Sequence, residues 1–249
     1  MIKISCVSYT NSIPFIYGIK NYKFNSPVEF TLDTPAECAY KLLTNQVDIG
    51  LVPVAILPKM EKFEIVSDFC IGANNEVRTV LLMSNVPLAK ITKVYLDYQS
   101  RTSVRLVKIL ANQFWNKDIE FVNAEQGFEE YKLNGDEGIV LIGDRVFEYE
   151  NSFQYKIDLA QEWIKYTSLP FVFAAWTANK EINPEFKSEF NQALQSGIDQ
   201  IPDAINSIET PNEQIDYHEY LTKNINYNLD QSKMNGLELF LTYVKKYNL

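Results

Sequence analysis

Apolar and polar positions alternate from the first residues onward, in a pattern that indicates strands separated by helices. Residues 2–7 and 28–32 alternate and predict two strands. Between them, Pro14 follows a polar turn and predicts the start of a helix, because Pro in the first helical turn removes no hydrogen bond. Residues 47–52 are mostly apolar, as expected for a buried parallel strand. This β-α-β order predicts an α/β fold built in layers.

The rest of the chain continues the same succession. Further strands are predicted at residues 64–70, 77–83, 94–97, 120–122, 138–142 and 171–176. Helices are predicted at residues 34–43, 55–60, 104–114, 185–198, 217–227 and 231–247. The clearest helix start is at Thr34, whose hydroxyl can cap the helix, with Pro35 and Glu37 in the first turn.

Two extended segments favour two lobes over a single sheet. Residues 77–84 leave the first β-α-β block, and residues 171–177 return from a second one, so the chain crosses twice between them. We therefore predict a first, discontinuous lobe of residues 1–86 and 176–249 and a second lobe of residues 87–175. In such folds the ligand lies in the cleft, near the carboxyl ends of strands.

The charge of the chain narrows the choice of partners. The 23 basic and 32 acidic side chains give a net charge of −9, whereas a nucleic-acid-binding protein is usually basic. An acidic surface also repels anions, so an anion site would have to be built locally from backbone N–H groups, hydroxyls and an arginine. No apolar run is long enough to span a membrane, and no export signal precedes the first strand, which predicts a cytoplasmic protein.

The sequence offers little support for a metal or a cofactor. Its three cysteines form no CxxC motif and predict buried, reduced thiols, and His218 is its single histidine, expected on the surface. A zinc site needs several nitrogen or sulfur ligands, so none is expected. Neither a GxGxxG nor a GxxxxGK motif is present, so no nucleotide cofactor is expected either.

Four polar loops follow predicted strands, at residues 8–11, 84–85, 100–103 and 143–144. The loop at 100–103 precedes a helix and combines a cation, hydroxyls and free N–H groups, which together can bind a carboxylate. Candidate substrate-binding residues from these loops are Ser8, Arg101, Thr102, Ser103, Gly143 and Asp144. Each also has a structural explanation: Ser100 or Thr102 can simply cap the helix, Asn11 can occupy a left-handed turn, and Ser84 can merely end a strand.

Taken together, these loops resemble the chorismate dehydratase family, which acts first in the futalosine route to menaquinone. The matching segments follow the family's order and cover most of the chain from its start to residue 177; they are residues 7–14, 48–54, 80–84, 100–103, 142–144, 158–163 and 169–174. The resemblance implies the two-lobed fold of type II periplasmic binding proteins. It does not extend to the C-terminal helices.

The resemblance also implies an activity and two catalytic residues. The reaction converts chorismate to 3-(1-carboxyvinyloxy)benzoate and water without a cofactor, and the family's functional Asn and Ser match Asn11 and Ser84. Loss of the C4 hydroxyl and the C3 proton forms a benzene ring, so the enzyme mainly has to orient the substrate and help hydroxide to leave. The base can be a protein group or the enolpyruvyl carboxylate of the substrate itself.

Two other functions are compatible with the same pattern. A solute-binding protein for a small carboxylate would share the fold, since fold does not determine function. The sister enzyme of the pathway, 1,4-dihydroxy-6-naphthoate synthase, shares the implied fold, but its family relies on a histidine in the cleft. The single histidine here, His218, lies outside the predicted second lobe. The sequence leaves the oligomeric state open.

Overall fold

Two β-sheets flanked by helices organise the computed structural model, which describes residues 1–248. The strands in this part of the chain are β1 (Ile2–Val7), β2 (Val28–Asp33), β3 (Ile49–Pro53), β4 (Glu64–Ala73), β5 (Val80–Ser84), β6 (Lys93–Leu96), β7 (Glu120–Asn123), β8 (Glu137–Ile142), β9 (Tyr155–Asp158), β10 (Phe171–Ala178) and β11 (Asn226–Asn228). The α-helices are α1 (Ile13–Asn21), α2 (Pro35–Leu43), α3 (Thr102–Ile109), α4 (Arg145–Tyr149), α5 (Leu159–Thr167), α6 (Pro184–Asp199), α7 (Ile201–Asn206), α8 (Tyr217–Glu219) and α9 (Gln231–Lys246).

Each sheet mixes parallel and antiparallel pairs. The first sheet has the order β11-β4-β10-β3-β1-β2, with β1 parallel to β2 and β3 and with β10 antiparallel to β3 and β4. The second sheet has the order β7-β6-β8-β5-β9, with β6 parallel to β7 and β8 and with β5 antiparallel to β8 and β9. The predicted α/β architecture with two lobes, one sheet in each, is confirmed.

The local signals for the first two helices are confirmed. Pro14 lies in the first turn of α1. At α2, the Thr34 side chain accepts from the Glu37 N–H, and Glu37 accepts in return from the Thr34 N–H. Two groups that a helix start would otherwise leave unpaired are thereby satisfied.

Helix α1 is held close to α6 through paired glycines. A Cβ atom on Gly18 would lie 2.1 Å from the Ala193 carbonyl oxygen, and one on Gly197 would lie 1.9 Å from that of Pro14. Any side chain at either position would therefore push the helices apart. This close packing fixes the helix whose amino end borders the cleft.

The predicted lobe boundaries are wrong by several residues. Strand β5 belongs to the second sheet, although the prediction put residues 1–86 in the first lobe, and all of β10 belongs to the first sheet, although residues 87–175 were assigned to the second. The chain therefore crosses outward at residues 74–79 and returns at residues 168–170. The physical reason is strand pairing, because an apolar segment does not reveal which sheet it joins.

The helix predicted at 217–227 is also partly wrong. A short α-helical turn and a π-helical turn, Tyr220–Asn224, end before residue 226, and the chain then forms β11. Asn226 pairs with Gly72 at the edge of the first sheet, so tertiary pairing overrides the local preference. Among the helices of residues 1–248, none is both long and apolar enough to cross a membrane.

Candidate active site

A cavity lies between the two lobes and has about 580 Å³ of space between atoms, its open mouth included. Both lobes line it with apolar residues and a smaller number of polar ones. The lining residues are Val7, Tyr9, Asn11, Ser12, Pro35, Leu51, Pro53, Ile71, Val77, Thr79, Val80, Ser100, Arg101, Thr102, Ser103, Ile142, Gly143, Phe173 and Ala174. Apolar walls with a few convergent polar groups are typical of a small-molecule site.

Asn11 is presented to the cavity by a single 3₁₀ turn, Thr10–Ser12, that leads into α1. Its backbone carbonyl accepts from the Tyr227 hydroxyl at 3.1 Å, and its side-chain oxygen accepts from the Ser12 hydroxyl at 3.1 Å. The Nδ2 group is the donor of this amide and can donate to a ligand.

Thr79 ends the outward crossover and lines the same cavity as Asn11. Its hydroxyl is 2.7 Å from the hydroxyl of Tyr220, and its backbone carbonyl accepts from the Gly143 N–H at 2.9 Å. Burial raises the pKa of Tyr220 above its ordinary value, and hydrogen bonds with Thr79 and Asn11 oppose that rise. The phenol therefore stays protonated at neutral pH.

Ser84, predicted as the second catalytic residue, does not line the cavity. It lies at the far end of β5, opposite Gly138, and its hydroxyl donates to the Val86 carbonyl at 2.5 Å. The prediction assumed that β5 points its carboxyl end at the cleft. Since β5 runs antiparallel to β8, its amino end at Val80 borders the cavity instead.

The amino end of α3 supplies the cationic side of the cavity. Arg101 is exposed at the lining and forms no ion pair within residues 1–248, so its guanidinium is available to an anion. The Ser100 hydroxyl accepts from the Ser103 N–H at 3.0 Å, so the predicted capping by Ser100 is confirmed. Capping and ligand binding are compatible here, because Arg101 and Ser103 both line the cavity.

Thr102 is occupied by contacts between the lobes. Its hydroxyl donates to the Phe173 carbonyl at 3.0 Å and accepts from the Ala55 N–H at 3.4 Å. The side chain thus ties α3 of the second lobe to the first lobe, and its hydroxyl proton is already used.

Gly143 and Tyr9 close another side of the cavity. Gly143 has a φ of 69°, and a Cβ there would lie 3.0 Å from the Tyr9 ring, so glycine suits both the backbone and the contact. The Tyr9 hydroxyl donates to the Gln99 side chain across the cleft. Burial raises the pKa of Tyr9 above its ordinary value.

Asp144 and Ser8 were also predicted to bind substrate, and neither lines the cavity. The Asp144 carboxylate accepts from the Thr10 N–H at 3.1 and 3.3 Å, which joins the second lobe to the first. Burial raises the pKa of Asp144, and the Thr10 N–H opposes that rise. Ser8 is exposed, and its N–H donates to the Asp33 carbonyl.

A buried ion pair holds the loops of the second lobe in place. The Asp97 carboxylate accepts from Arg145 at 2.7 Å and from the N–H groups of Ile142 and Gln99 at 3.0 and 2.9 Å. Burial raises the pKa of Asp97, and Arg145 opposes that rise. One carboxylate therefore connects the loop before α3 with the loop after β8.

The chemistry available to the cavity is limited to hydrogen-bond donors and one cation. Among the described lining residues, none is Asp, Glu, His or Lys. Within residues 1–248 no cluster of His, Cys, Asp and Glu side chains is suited to a metal ion. His218 is exposed and does not line the cavity. The arrangement can bind a carboxylate, exclude water and stabilise a departing oxygen.

Thr79, Tyr220 and Tyr9 were missed by the sequence analysis. Tyr9 lies within the polar loop at residues 8–11 and Thr79 within the extended segment 77–84, but nothing in the sequence indicates which residues of these segments face the cleft. Tyr220 reaches Thr79 over 141 positions, and no local pattern encodes such a contact.

Comparisons with known proteins agree on fold and family. A family model described as "Menaquinone biosynthesis" matches residues 2–246. The chain is similar to the chorismate dehydratase of Thermus thermophilus, with 25% identity over 91% of this chain and 94% of the relative. It is also similar to the chorismate dehydratase of Campylobacter jejuni, with 26% identity over 69% of this chain and 65% of the relative. The fold is similar to that of a Candida albicans protein with the generic periplasmic binding protein fold, with a TM-score of 0.68 at 14% identity, covering 100% of this chain and 94% of that one.

Proposed function

Because the chain belongs to the menaquinone-biosynthesis family, we propose that it is a chorismate dehydratase, a carbon–oxygen lyase that converts chorismate to 3-(1-carboxyvinyloxy)benzoate and water. The observation that carries the proposal is the family match over residues 2–246, combined with a cavity that joins Asn11, Thr79 and Arg101. The cavity chemistry fits a reaction that needs orientation and hydrogen-bond donors.

The substrate is a dicarboxylate, and Arg101 is the cation proposed to bind one of its carboxylates. The Arg101 guanidinium has no internal ion pair in the described chain, and the N–H groups at the start of α3 lie beside it. Ser103 and Gly143 complete this part of the proposed binding site. Tyr9 and the apolar walls enclose the ring and keep water out.

Asn11 and Thr79 are proposed to act on the leaving group. The reaction breaks the C4–O bond and the C3–H bond, and the freed electron pair completes the aromatic ring while the hydroxyl leaves as water. The Asn11 Nδ2 group and the Thr79 hydroxyl can donate to the departing oxygen as its negative charge develops. Donors held in place for this purpose stabilise the transition state more than the ground state.

The proton at C3 is proposed to go to the enolpyruvyl carboxylate of the substrate, which then gives it to the departing hydroxide, so that water is released. The described lining of the cavity contains no carboxylate or imidazole, and burial keeps the Tyr9 phenol protonated. A base carried by the substrate needs only the correct conformation, which the enclosed cavity would select.

Incubation of the purified protein with chorismate, followed by ¹H NMR, tests the proposal. The expected product is 3-(1-carboxyvinyloxy)benzoate, formed without any added cofactor. Binding of chorismate without conversion would support the solute-binding function instead. The sister enzyme is disfavoured by the exposure of His218, and the His218→Ala variant is expected to keep full turnover.

A further inference from the structure

Tyr220 lies directly behind Thr79, on the side away from the substrate cavity. Its hydroxyl is 2.7 Å from the Thr79 hydroxyl, and the residue is 2% exposed. Tyr220 does not line the substrate cavity; it borders a separate polar recess beside Glu76, Arg78 and Asp216. Any effect of Tyr220 on the reaction must therefore pass through Thr79 or Asn11.

The local backbone at Tyr220 is unusual. Tyr220 begins the π-helical turn Tyr220–Asn224, and π-helical turns are rare and often found at functional sites. The ring packs edge-on against Phe147 with 5.4 Å between ring centroids, which fixes the direction of the hydroxyl. The strand that follows brings the Tyr227 hydroxyl to the Asn11 carbonyl at 3.1 Å. A single segment thus supports both proposed donors.

The Tyr220 and Thr79 hydroxyls share a hydrogen bond at 2.7 Å, in which either oxygen can be the donor. Each hydroxyl has a single proton. When the Tyr220 hydroxyl donates, Thr79 acts as the acceptor and keeps its own proton for the cavity. Hydrogen bonds linked in this way strengthen one another.

We propose that Tyr220 is a positioning residue that orients the Thr79 hydroxyl proton towards the leaving oxygen of the substrate. This inference rests on the proposed dehydratase function. It assigns to the C-terminal part of the chain, where the sequence shows no motif, a role in the reaction. The role is indirect, since Tyr220 touches neither the substrate nor the reacting atoms.

Replacing Tyr220 by Phe removes the hydroxyl and keeps the ring. We expect kcat for chorismate to fall about tenfold, with KM changed less than about threefold, because the lost interaction acts mainly in the transition state. Tyr217→Phe is the matched control: Tyr217 lies in the same segment, and its hydroxyl accepts from the Asn212 N–H at 2.7 Å away from the cavity. The control should keep the wild-type kcat.

A double-mutant cycle separates positioning from general loosening of the fold. In a Thr79→Val background the hydroxyl to be oriented is absent, so adding Tyr220→Phe should lower kcat by less than about twofold more. Each variant is assayed well below its own melting temperature, so a less stable variant still gives a result. An equal tenfold loss in both backgrounds would overturn the positioning role, as would an unchanged kcat in Tyr220→Phe.

Turnover of chorismate by the wild-type protein distinguishes a failure of the proposed function from a failure of the positioning role alone. If it does not turn over chorismate, the proposed function is wrong, and this role falls with it. If it does, and the losses from Thr79→Val and Tyr220→Phe simply add, the positioning role alone is wrong.

Discussion

The carboxylate of Asp144 in the second lobe accepts a hydrogen bond from the backbone N–H of Thr10 in the first lobe, at 3.1 Å. Thr10 precedes Asn11, and Asp144 follows Gly143, so the bond joins two loops of different lobes that both border the cavity. Asp144 was predicted to bind substrate, but it does not line the cavity. Its carboxylate instead links the two lobes next to the cavity. We expect this hydrogen bond to hold the two lobes together around a ligand.

Removal of this contact should weaken substrate binding. Asp144→Ala leaves the Thr10 N–H without its acceptor, and we expect KM for chorismate to rise about fivefold, as a net loss of about 1 kcal/mol would give. Asp144→Asn keeps an acceptor oxygen of the same length, and its KM should stay within about twofold of wild type. Equal losses in the two variants would contradict a hydrogen-bonding role and indicate that the charge matters.

Loss of the Arg101 guanidinium should weaken chorismate binding more than loss of the Asp144 contact does. Arg101→Ala is expected to raise KM for chorismate by about tenfold or more, since a charge-assisted hydrogen bond contributes roughly 1.5–3 kcal/mol. Lys156→Ala removes an exposed cation of the same lobe and serves as control. If Arg101→Ala folds normally and keeps the wild-type KM, the start of α3 has only a capping role.

The pH dependence of the reaction should reveal whether a side chain acts as base. The described lining contains no Asp, Glu, His or Lys, and burial raises the pKa of its Tyr9 phenol. No side chain of the lining therefore offers a base that titrates near neutral pH, so kcat should be constant between about pH 6 and pH 9. A histidine base would instead lower kcat as the pH falls through about 6.5, and such a profile would contradict the substrate as base.

The thiols should be inert until the protein unfolds. Cys6, Cys38 and Cys70 are buried, and burial raises the pKa of Cys38 and Cys70 to about 12. Because the thiolate is the reactive form, a thiol reagent at pH 8 should label the native protein very slowly. After denaturation without reductant, we expect 3 thiols to react. A smaller number would reveal a disulfide.

The parts of the fold that the sequence predicts correctly depend on neighbouring residues. The capping box at Thr34 and Glu37 and the Pro14 helix start are local signals, and each lies where it was expected. The alternation that predicts β1 is equally local. Asn11, Arg101 and Gly143, which come from loops after predicted strands, line one cavity, and their roles towards a substrate stay a prediction.

The errors concern relations between distant segments. A period of two residues predicts a strand but not its direction, so the sequence could not show that β5 presents its amino end to the cleft. The family resemblance matched Ser84, which lies at the far end of β5, whereas Thr79, just before the amino end of β5, lines the cavity. Strand β11 likewise exists because β4 offers an edge for pairing, which the helix-favouring residues before it do not reveal.

The most direct test of the proposed active site is kcat for chorismate in Asn11→Ala, Thr79→Val, Ser84→Ala and His218→Ala, measured in one assay with folding checked by circular dichroism. We predict that the first two lower kcat by about 10² or more with less effect on KM, as the loss of a preorganised donor does, and that the last two stay near wild type. If Ser84→Ala or His218→Ala abolishes turnover while Asn11→Ala and Thr79→Val retain it, the site described here is not where the reaction takes place.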